Sequence, residues 1–148
     1  MDNSSYIIIR NITLSDYYDG YFDLMYQLTN YKYDVSYNEF QKYLNDNNRS
    51  NCQIVVAYLP KKSKIIGAGT IFKISKLHNN PIGQIEDLII DKEYRGNSYG
   101  RQIIQRLVKI GYEDFGCYKI VLNTLEENVS FYDKCSFSKV GHQMKHKF

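Results

Sequence analysis

A strand, a glycine-containing loop and an amphipathic helix follow one another between residues 84 and 112, and they constrain the fold more than any other feature. The strand is predicted for Gln84–Asp91, where Ile85 and Leu88–Ile90 are apolar, and the loop is Arg95–Arg101. A helix is predicted next because apolar residues recur at a spacing that places them on one face: Ile103, Ile104, Leu107, Val108, Gly111 and Tyr112. Strand–loop–helix succession predicts an α/β fold.

The remaining apolar runs extend this unit into one predicted domain covering residues 1–148. Strands are predicted for five further stretches: Tyr6–Arg10, Gln53–Leu59, Ile65–Ile74, Tyr118–Leu122 and Phe137 to the C-terminus. Thr13 and Ser36, each with an acidic residue three positions on, are predicted helix N-caps. A short helix is predicted for Asn128–Lys134. The order β-α-α-β-β-β-α-β-α-β indicates a mixed, mostly antiparallel sheet flanked by helices.

Composition excludes several classes of protein. The chain has 148 residues, 43% of them hydrophobic, which is enough for a core without disulfide or metal support. A net charge of +3, spread along the chain, argues against nucleic-acid binding. Three cysteines at unequal spacing predict neither disulfides nor a metal site. Without an apolar run of about 18 residues or a signal-peptide pattern at the start, we expect a cytoplasmic protein with no membrane contact.

The loop from Arg95 to Arg101 has the chemistry of an anion site. A helix N-terminus presents backbone N–H groups that lack intrahelical partners and carries a partial positive charge. Gly96 and Gly100 allow the backbone to approach an anion closely, and the two arginines can neutralise a phosphate. Taken alone, the pattern fits equally well an ordinary strand-to-helix turn with solvated arginines.

Four sequence blocks carry a resemblance to a known family: Ile85–Asp91, Tyr94–Gly96, Gly116–Ile120 and Glu127–Cys135. The loop Arg95–Gly100 resembles the Arg/Gln-x-x-Gly-x-Gly/Ala pyrophosphate loop of GNAT acetyltransferases, with Ser98 in place of the first glycine. Together, the blocks resemble the glucosamine-6-phosphate N-acetyltransferase family from Gly83 to Phe137, whereas the N-terminal half matches mainly in element order and at Leu28-Thr29. The resemblance implies the GNAT fold, acetyl-CoA as cosubstrate, and a homodimer whose sites are completed across the interface.

The resemblance also implies which residues bind acetyl-CoA: Leu88, Ile89, Ile90, Arg95, Gly96, Asn97, Ser98, Tyr99, Gly100, Arg101, Asn128, Tyr132 and Lys134. In GNAT proteins the strand before the loop splays from its neighbour, and a free backbone N–H faces the thioester carbonyl. Leu88 or Ile89 would supply that N–H, a contribution of roughly 3 to 4 kcal/mol. Tyr132, in its Asn-x-x-x-Tyr context, is expected to protonate or stabilise the departing thiolate, although an isolated tyrosine would suggest a core aromatic.

The residues implied for the sugar phosphate are Thr29, Lys76, Leu77, His78, Glu86, Asp87, Tyr118, Lys119 and Gln143. Glu86 and Asp87 point to opposite faces of a strand and so form no carboxylate pair. We expect Asp87 near the attacking amine and Glu86 to help orient it. Asn123 and Gln143 stand where family members usually or sometimes carry an acidic residue. Because a neutral amide is no base, Asn123 is expected to position the amine while water or Asp87 accepts its proton.

Three functions stay open at this stage. The first is acetylation of glucosamine 6-phosphate by direct attack of its amine, without a covalent acyl-enzyme, in the synthesis of UDP-N-acetylglucosamine. The second is acetylation of another amine, a peptide N-terminus or a polyamine, which the departures at Asn123 and Gln143 favour. The third is a non-catalytic acyl-CoA-binding domain, since nucleotide binding needs only the Arg95–Arg101 loop. Tyr132 argues against the third.

Overall fold

The computed structural model describes residues 6–47 and 49–148, so the first residues, on which the expectation of no signal peptide rests, lie outside it. Within this part of the chain, five strands form one sheet: β1 (Ile8–Asn11), β2 (Cys52–Leu59), β3 (Lys64–Ile74), β4 (Ile82–Ile90) and β5 (Lys119–Leu122). They lie side by side in chain order. The pairs β1–β2, β2–β3 and β3–β4 are antiparallel, whereas β5 runs parallel to β4.

Within residues 6–47 and 49–148, four α-helices accompany the sheet: α1 (Tyr21–Thr29), α2 (Tyr37–Asp46), α3 (Tyr99–Lys109) and α4 (Val129–Asp133). Single turns of 3₁₀-helix occupy Leu14–Tyr18, Pro60–Lys62, Lys92–Tyr94 and Glu126–Asn128, and a π-helical turn, Ile110–Asp114, continues α3. Tyr112, predicted on the apolar face of α3, lies in that turn and is 75% exposed. That part of the helix prediction is wrong because the π-turn changes the helical periodicity.

Helices cover both faces of the sheet. Val55 and Ala57 of β2 belong to one core cluster with α3, while Ile54 and Val56 belong to another with α1 and α2. Since successive side chains of a strand point to opposite faces, β2 is buried on both sides, and its sequence is correspondingly apolar except for the buried Gln53. The two cores hold the sheet between two helical layers.

The predicted helix starting at Thr13 is wrong in one respect. Thr13 and Asp16 do form a cap, with the Thr13 N–H donating to Asp16 Oδ2 over 2.7 Å, but it begins only a 3₁₀ turn. Gly20, with a left-handed φ of 94°, separates this turn from α1. The predicted Ser36 cap is confirmed, because Glu39 N–H donates to Ser36 Oγ over 3.2 Å and Glu39 accepts from Ser36 N–H over 2.7 Å.

The strand predicted from Phe137 to the C-terminus is also wrong, because the described chain forms no strand after Leu122. The segment mixes isolated apolar residues with charged ones, and Val140 and Met144 are 87% and 93% exposed. Phe137 packs against the core at the start of the segment, but the apolar side chains after it have no surface of this subunit to bury against. The outer edge of β5 therefore has no strand partner within the described residues.

Among the described residues, no helix is both long and apolar enough to cross a membrane.

Candidate active site

The site begins where β4 and β5 separate. Their parallel pairing joins Ile82–Ile85 to Lys119–Leu122 and stops there, while β4 continues to Ile90. The second half of β4 therefore has no strand beside it on the β5 side. This divergence opens a cleft of about 640 Å³ between β4, the start of α3 and α4.

Backbone direction along β4 decides which amides face this cleft. Asp91 N–H donates to Ile66 O of β3 over 2.8 Å. Ile89, two positions before Asp91, is paired with Ala68 of β3. Hydrogen-bonding groups alternate between the two edges of a strand, so the Ile89 N–H points toward β3. The N–H groups of Leu88 and Ile90 point the other way, into the cleft. Of the two predicted oxyanion donors, Leu88 is therefore the one whose backbone N–H points into the cleft, although both residues line it.

A bulge in the β3–β4 pairing lies just before these amides. The register shifts between Ala68 and Thr70, so that Asp87 and Leu88 oppose the single residue Gly69. Asp87 takes a left-handed φ of 54°, a conformation that aspartate and asparagine adopt more readily than most residues. Bulges bend a strand and redirect its side chains. Leu88 lines the cleft, whereas Asp87 lines a separate cavity under α1 and α2.

The loop after β4 closes the cleft at the N-terminus of α3. Gly96 and Ser98 have left-handed φ values of 84° and 62°, and the side chain of Asn97 donates to Tyr94 O over 3.0 Å. A Cβ on Gly100 would lie 3.2 Å from Phe131 Cζ, so glycine lets α3 approach α4. The first amides of α3 have no intrahelical acceptor and carry the positive end of the helix dipole.

This loop fits the pyrophosphate of acetyl-CoA. The exposed Arg95 and Arg101 flank the amides, and Arg95 Nε donates to Ile90 O over 3.1 Å, which fixes the start of the arginine side chain beside the cleft. Backbone amides, a helix N-terminus and two guanidinium groups together form a donor set that suits a diphosphate.

Nearly all of the residues predicted to bind acetyl-CoA line this cleft. Asn97 is the exception, because its side chain holds the loop backbone instead. The cleft is also lined by five residues that the sequence analysis did not assign: Leu28, Tyr94, Glu127, Phe131 and Cys135. All but Leu28 lie within the quoted blocks, so their position was a usable signal. Leu28 lies on α1, outside these blocks, and the signal for it was the short match to the family at Leu28-Thr29.

Tyr132 on α4 stands between the cleft and a second cavity. That cavity, of about 310 Å³, is formed by β5 with the segment Phe137–Gln143, and we call it the β5 cavity. Tyr132 lines both spaces. Burial, with a smaller effect of Cys135, raises the pKa of Tyr132 above its ordinary value, so its hydroxyl stays protonated at neutral pH. Asn123 and Gln143 line the β5 cavity.

The other predicted sugar contacts are scattered within one subunit. Thr29 Oγ1 donates to Met25 O over 2.9 Å at the end of α1, and Glu86 accepts from Gln84 Nε2 over 2.9 Å. Lys119 Nζ lies 5.4 Å from the centre of the exposed Tyr118 ring. Three more lie in the exposed loop between β3 and β4: Lys76, Leu77 and His78. The cleft and the β5 cavity are lined by none of these seven described residues.

Comparison with known proteins identifies the fold and the family. The model of the acetyltransferase (GNAT) family matches residues 8–137. The chain belongs to the GNAT acetyltransferase family. The crystal structure of glucosamine-6-phosphate N-acetyltransferase from Arabidopsis thaliana superposes on it with a TM-score of 0.88, at 29% identity, covering 97% of this chain and 99% of that one. The predicted GNAT fold class is confirmed, except for the missing sixth strand.

Two curated relatives show the same similarity in sequence. Glucosamine 6-phosphate N-acetyltransferase 1 of Dictyostelium discoideum is 36% identical over 142 residues, which span 93% of this GNAT chain and 88% of the relative. The enzyme of that name from Arabidopsis thaliana is 30% identical over 148 residues, spanning 95% of each. The similarity therefore extends over both halves of the chain, beyond the predicted resemblance from Gly83 to Phe137.

Proposed function

We propose that this protein transfers the acetyl group of acetyl-CoA to the 2-amino group of glucosamine 6-phosphate. The observation that carries the proposal is the cleft between β4 and β5, which runs from the Arg95–Arg101 loop to Tyr132 in a chain whose relatives bear that activity in their names. Acetyl-CoA supplies an acetyl group already activated as a thioester. The remaining chemistry falls to the groups that line the cleft and the β5 cavity.

The chain would bind and polarise the thioester with backbone groups. The amides at the start of α3, with Arg95 and Arg101, hold the pyrophosphate. The Leu88 N–H, which faces the cleft, donates to the thioester oxygen as negative charge develops there. A donor fixed in place before reaction stabilises that charge without reorganisation, which is worth about two to three powers of ten in rate. The Tyr132 hydroxyl, protonated at neutral pH, donates to the departing sulfur.

Proton removal from the amine is assigned to water. Asn123 lines the β5 cavity beside Tyr132, where its amide can orient the amine but cannot accept a proton from it. Asp87, the alternative acceptor, lines a cavity that shares no residue with the cleft or the β5 cavity. This separation favours water over Asp87. Asp87 then acts on the amine only through the electric field of its carboxylate.

The proposal includes a homodimer that completes each site. The outer edge of β5 has no strand partner among the described residues, and Tyr118 and Lys119 lie exposed beside it. An open strand edge is a ready surface for pairing with another chain. Among the described residues, the basic side chains that line the β5 cavity are Lys139 and His142. A second copy at this edge would bring its Tyr118 and Lys119 toward the sugar phosphate and so add a further basic partner.

A cytoplasmic location and a role in UDP-N-acetylglucosamine synthesis complete the proposal. The cysteines Cys52, Cys117 and Cys135 are all unpaired, which fits a reducing compartment.

The decisive experiment measures thiol release from acetyl-CoA with glucosamine 6-phosphate, unphosphorylated glucosamine, a polyamine and a peptide amine in parallel. Release that depends on the sugar phosphate is expected, and it should fall sharply in Tyr132→Phe. Release with the peptide or the polyamine alone would replace the substrate. Tight acetyl-CoA binding without release from any amine would instead indicate a non-catalytic acyl-CoA-binding domain.

A further inference from the structure

Asp91, the residue that follows β4, is a buried carboxylate with 3% of its surface exposed. It does not line the cleft, and the proposed acetyl transfer gives it no role. Burying a charge is costly unless the charge is paired and hydrogen-bonded. The partners of Asp91 therefore indicate what the buried carboxylate does.

The two carboxylate oxygens of Asp91 join β3 to the 3₁₀ turn Lys92–Tyr94. Oδ2 accepts a hydrogen bond from Lys64 Nζ of β3 over 2.8 Å, and Oδ1 accepts one from the Glu93 N–H over 3.0 Å. The Asp91 carbonyl also accepts from the Tyr94 N–H over 2.8 Å. Burial alone would raise the pKa of Asp91, but the bonds from Lys64 and Glu93 outweigh burial and lower it. The carboxylate is therefore ionised at neutral pH and holds the turn against the sheet.

The turn leads directly into the loop that closes the cleft. Tyr94 lines the cleft, its carbonyl accepts from the Asn97 side chain, and Arg95 is the next residue. Lys64 Nζ lies 5.5 Å from the centre of the Tyr94 ring, so one ammonium group contacts both the Asp91 carboxylate and this ring. A shift of the turn would therefore displace Tyr94 and Arg95 together.

Charge and geometry make opposite predictions for Asp91. A carboxylate near an anion site repels a diphosphate, so the field of Asp91 opposes binding at the loop and the field of Lys64 favours it. If the field were what matters, removing the Asp91 charge would tighten binding of the diphosphate. If the bonds to the turn are what matter, the same change loosens the loop and weakens binding.

We propose that the Asp91–Lys64 pair positions the Arg95–Arg101 loop for the pyrophosphate of acetyl-CoA without touching the nucleotide. The inference rests on the part of the proposed function that places the pyrophosphate at this loop. It involves no chemical step, so binding alone tests it.

The test compares the Kd of CoA, from titration calorimetry, with the Kd of pantetheine, from NMR titration. Pantetheine is the part of CoA that lacks the phosphates. Asp91→Asn keeps the size of the side chain and an oxygen for the Glu93 N–H but removes the charge that pairs with Lys64. We expect it to raise the Kd of CoA about tenfold and to change that of pantetheine by less than about twofold. Lys64→Met should act in the same way, and the double variant should bind CoA no more weakly than either single variant.

Lys61→Met is the matched control, because it removes the same charge from an exposed position on the turn before β3. It should leave both affinities unchanged. With circular dichroism confirming the fold, tighter or unchanged CoA binding in Asp91→Asn would overturn the inference, as would equal losses for CoA and pantetheine. Wild-type protein that does not bind CoA would overturn the proposed function as well. Wild type and variants that bind CoA equally would overturn only the positioning role.

Discussion

At the scale of single residues, Tyr132 connects the two spaces in which the proposed reaction takes place. Its pKa is raised, so deprotonation of this hydroxyl should cause no loss of activity below about pH 10, the ordinary tyrosine pKa. Tyr132→Phe keeps the ring and removes the proton donor. We expect kcat to fall by about 10²-fold while the Kd of acetyl-CoA is nearly unchanged. Tyr112→Phe is the exposed control, and equal losses in both variants would contradict the assignment.

Asp16 is the residue that should link stability to pH. Its side chain is fully buried and accepts two hydrogen bonds from Arg10, of 2.7 and 2.8 Å. Burial alone would raise the pKa of Asp16, but the bonds from Arg10 and Thr13 outweigh burial and lower it. The stabilisation is therefore complete above the ordinary aspartate pKa of about 3.9 and is lost as the pH falls through the lower pKa of the folded state.

Asp16→Asn should accordingly lower the free energy of unfolding by roughly 3 kcal/mol at pH 7, because it leaves Arg10 without its charged partner. The difference from wild type should shrink as the pH falls through the lowered pKa of Asp16 in the folded state, where the wild-type carboxyl itself becomes protonated. Urea unfolding at several pH values measures both quantities. A difference that stays constant with pH would show that the lost charge is not the cause.

Element by element, the packing of α3 on β3 controls the shape of the cleft. A Cβ added to Gly67 would lie 2.6 Å from Ile90 Cδ1 and 3.0 Å from Ile103 Cδ1, so neither side chain could keep its position. Gly67→Ala should lower stability by about 1 to 3 kcal/mol. It should also weaken acetyl-CoA binding, since Ile90 lines the cleft. Gly141→Ala, where nothing lies within 4 Å, is the control for both measurements.

Helices and strands could be predicted from the sequence where the pattern of apolar residues fitted only one kind of element. β2, β3, β4 and the Ser36 cap of α2 follow from apolar runs and a capping pair that agree with their neighbours. The strand prediction from Phe137 onward failed because the few apolar residues there resemble a strand in pattern. Those after Phe137 have no surface of their own subunit to cover. Gly20 broke the first predicted helix because its left-handed backbone is invisible in a hydrophobic pattern.

The candidate site was likewise predictable from the sequence only in part. Arg95–Arg101 and Tyr132 were predictable, since neighbouring residues in the chain determine their placement. The separation of Asp87 from Asn123 was not, because it depends on the bulge opposite Gly69, and pairing between strands leaves little trace in a single sequence.

At the scale of the whole molecule, the proposed dimer implies that each active site takes residues from both subunits. Tyr132→Phe and Lys119→Ala should each be nearly inactive alone. If each site takes Tyr132 from one subunit and Lys119 from the other, coexpression of the two variants gives mixed dimers with one intact site. Random pairing then restores about a quarter of wild-type activity. Coexpression of Tyr132→Phe with Arg101→Met, both on the cleft side, is the control and should restore none. Failure of the first pair to recover would place both residues in one subunit.

The divergence of β4 from β5 also has a consequence for isotope exchange with solvent. Along Leu88, Ile89 and Ile90, every second amide is bonded to β3 and the others face open space, so neighbours in one strand differ in protection although they share one local environment. In deuterated water, the Leu88 and Ile90 amides should exchange quickly and the Ile89 amide slowly. Saturation of the cleft with acetyl-CoA should slow exchange of the Leu88 and Ile90 amides and leave the exchange rate of the Ile89 amide unchanged.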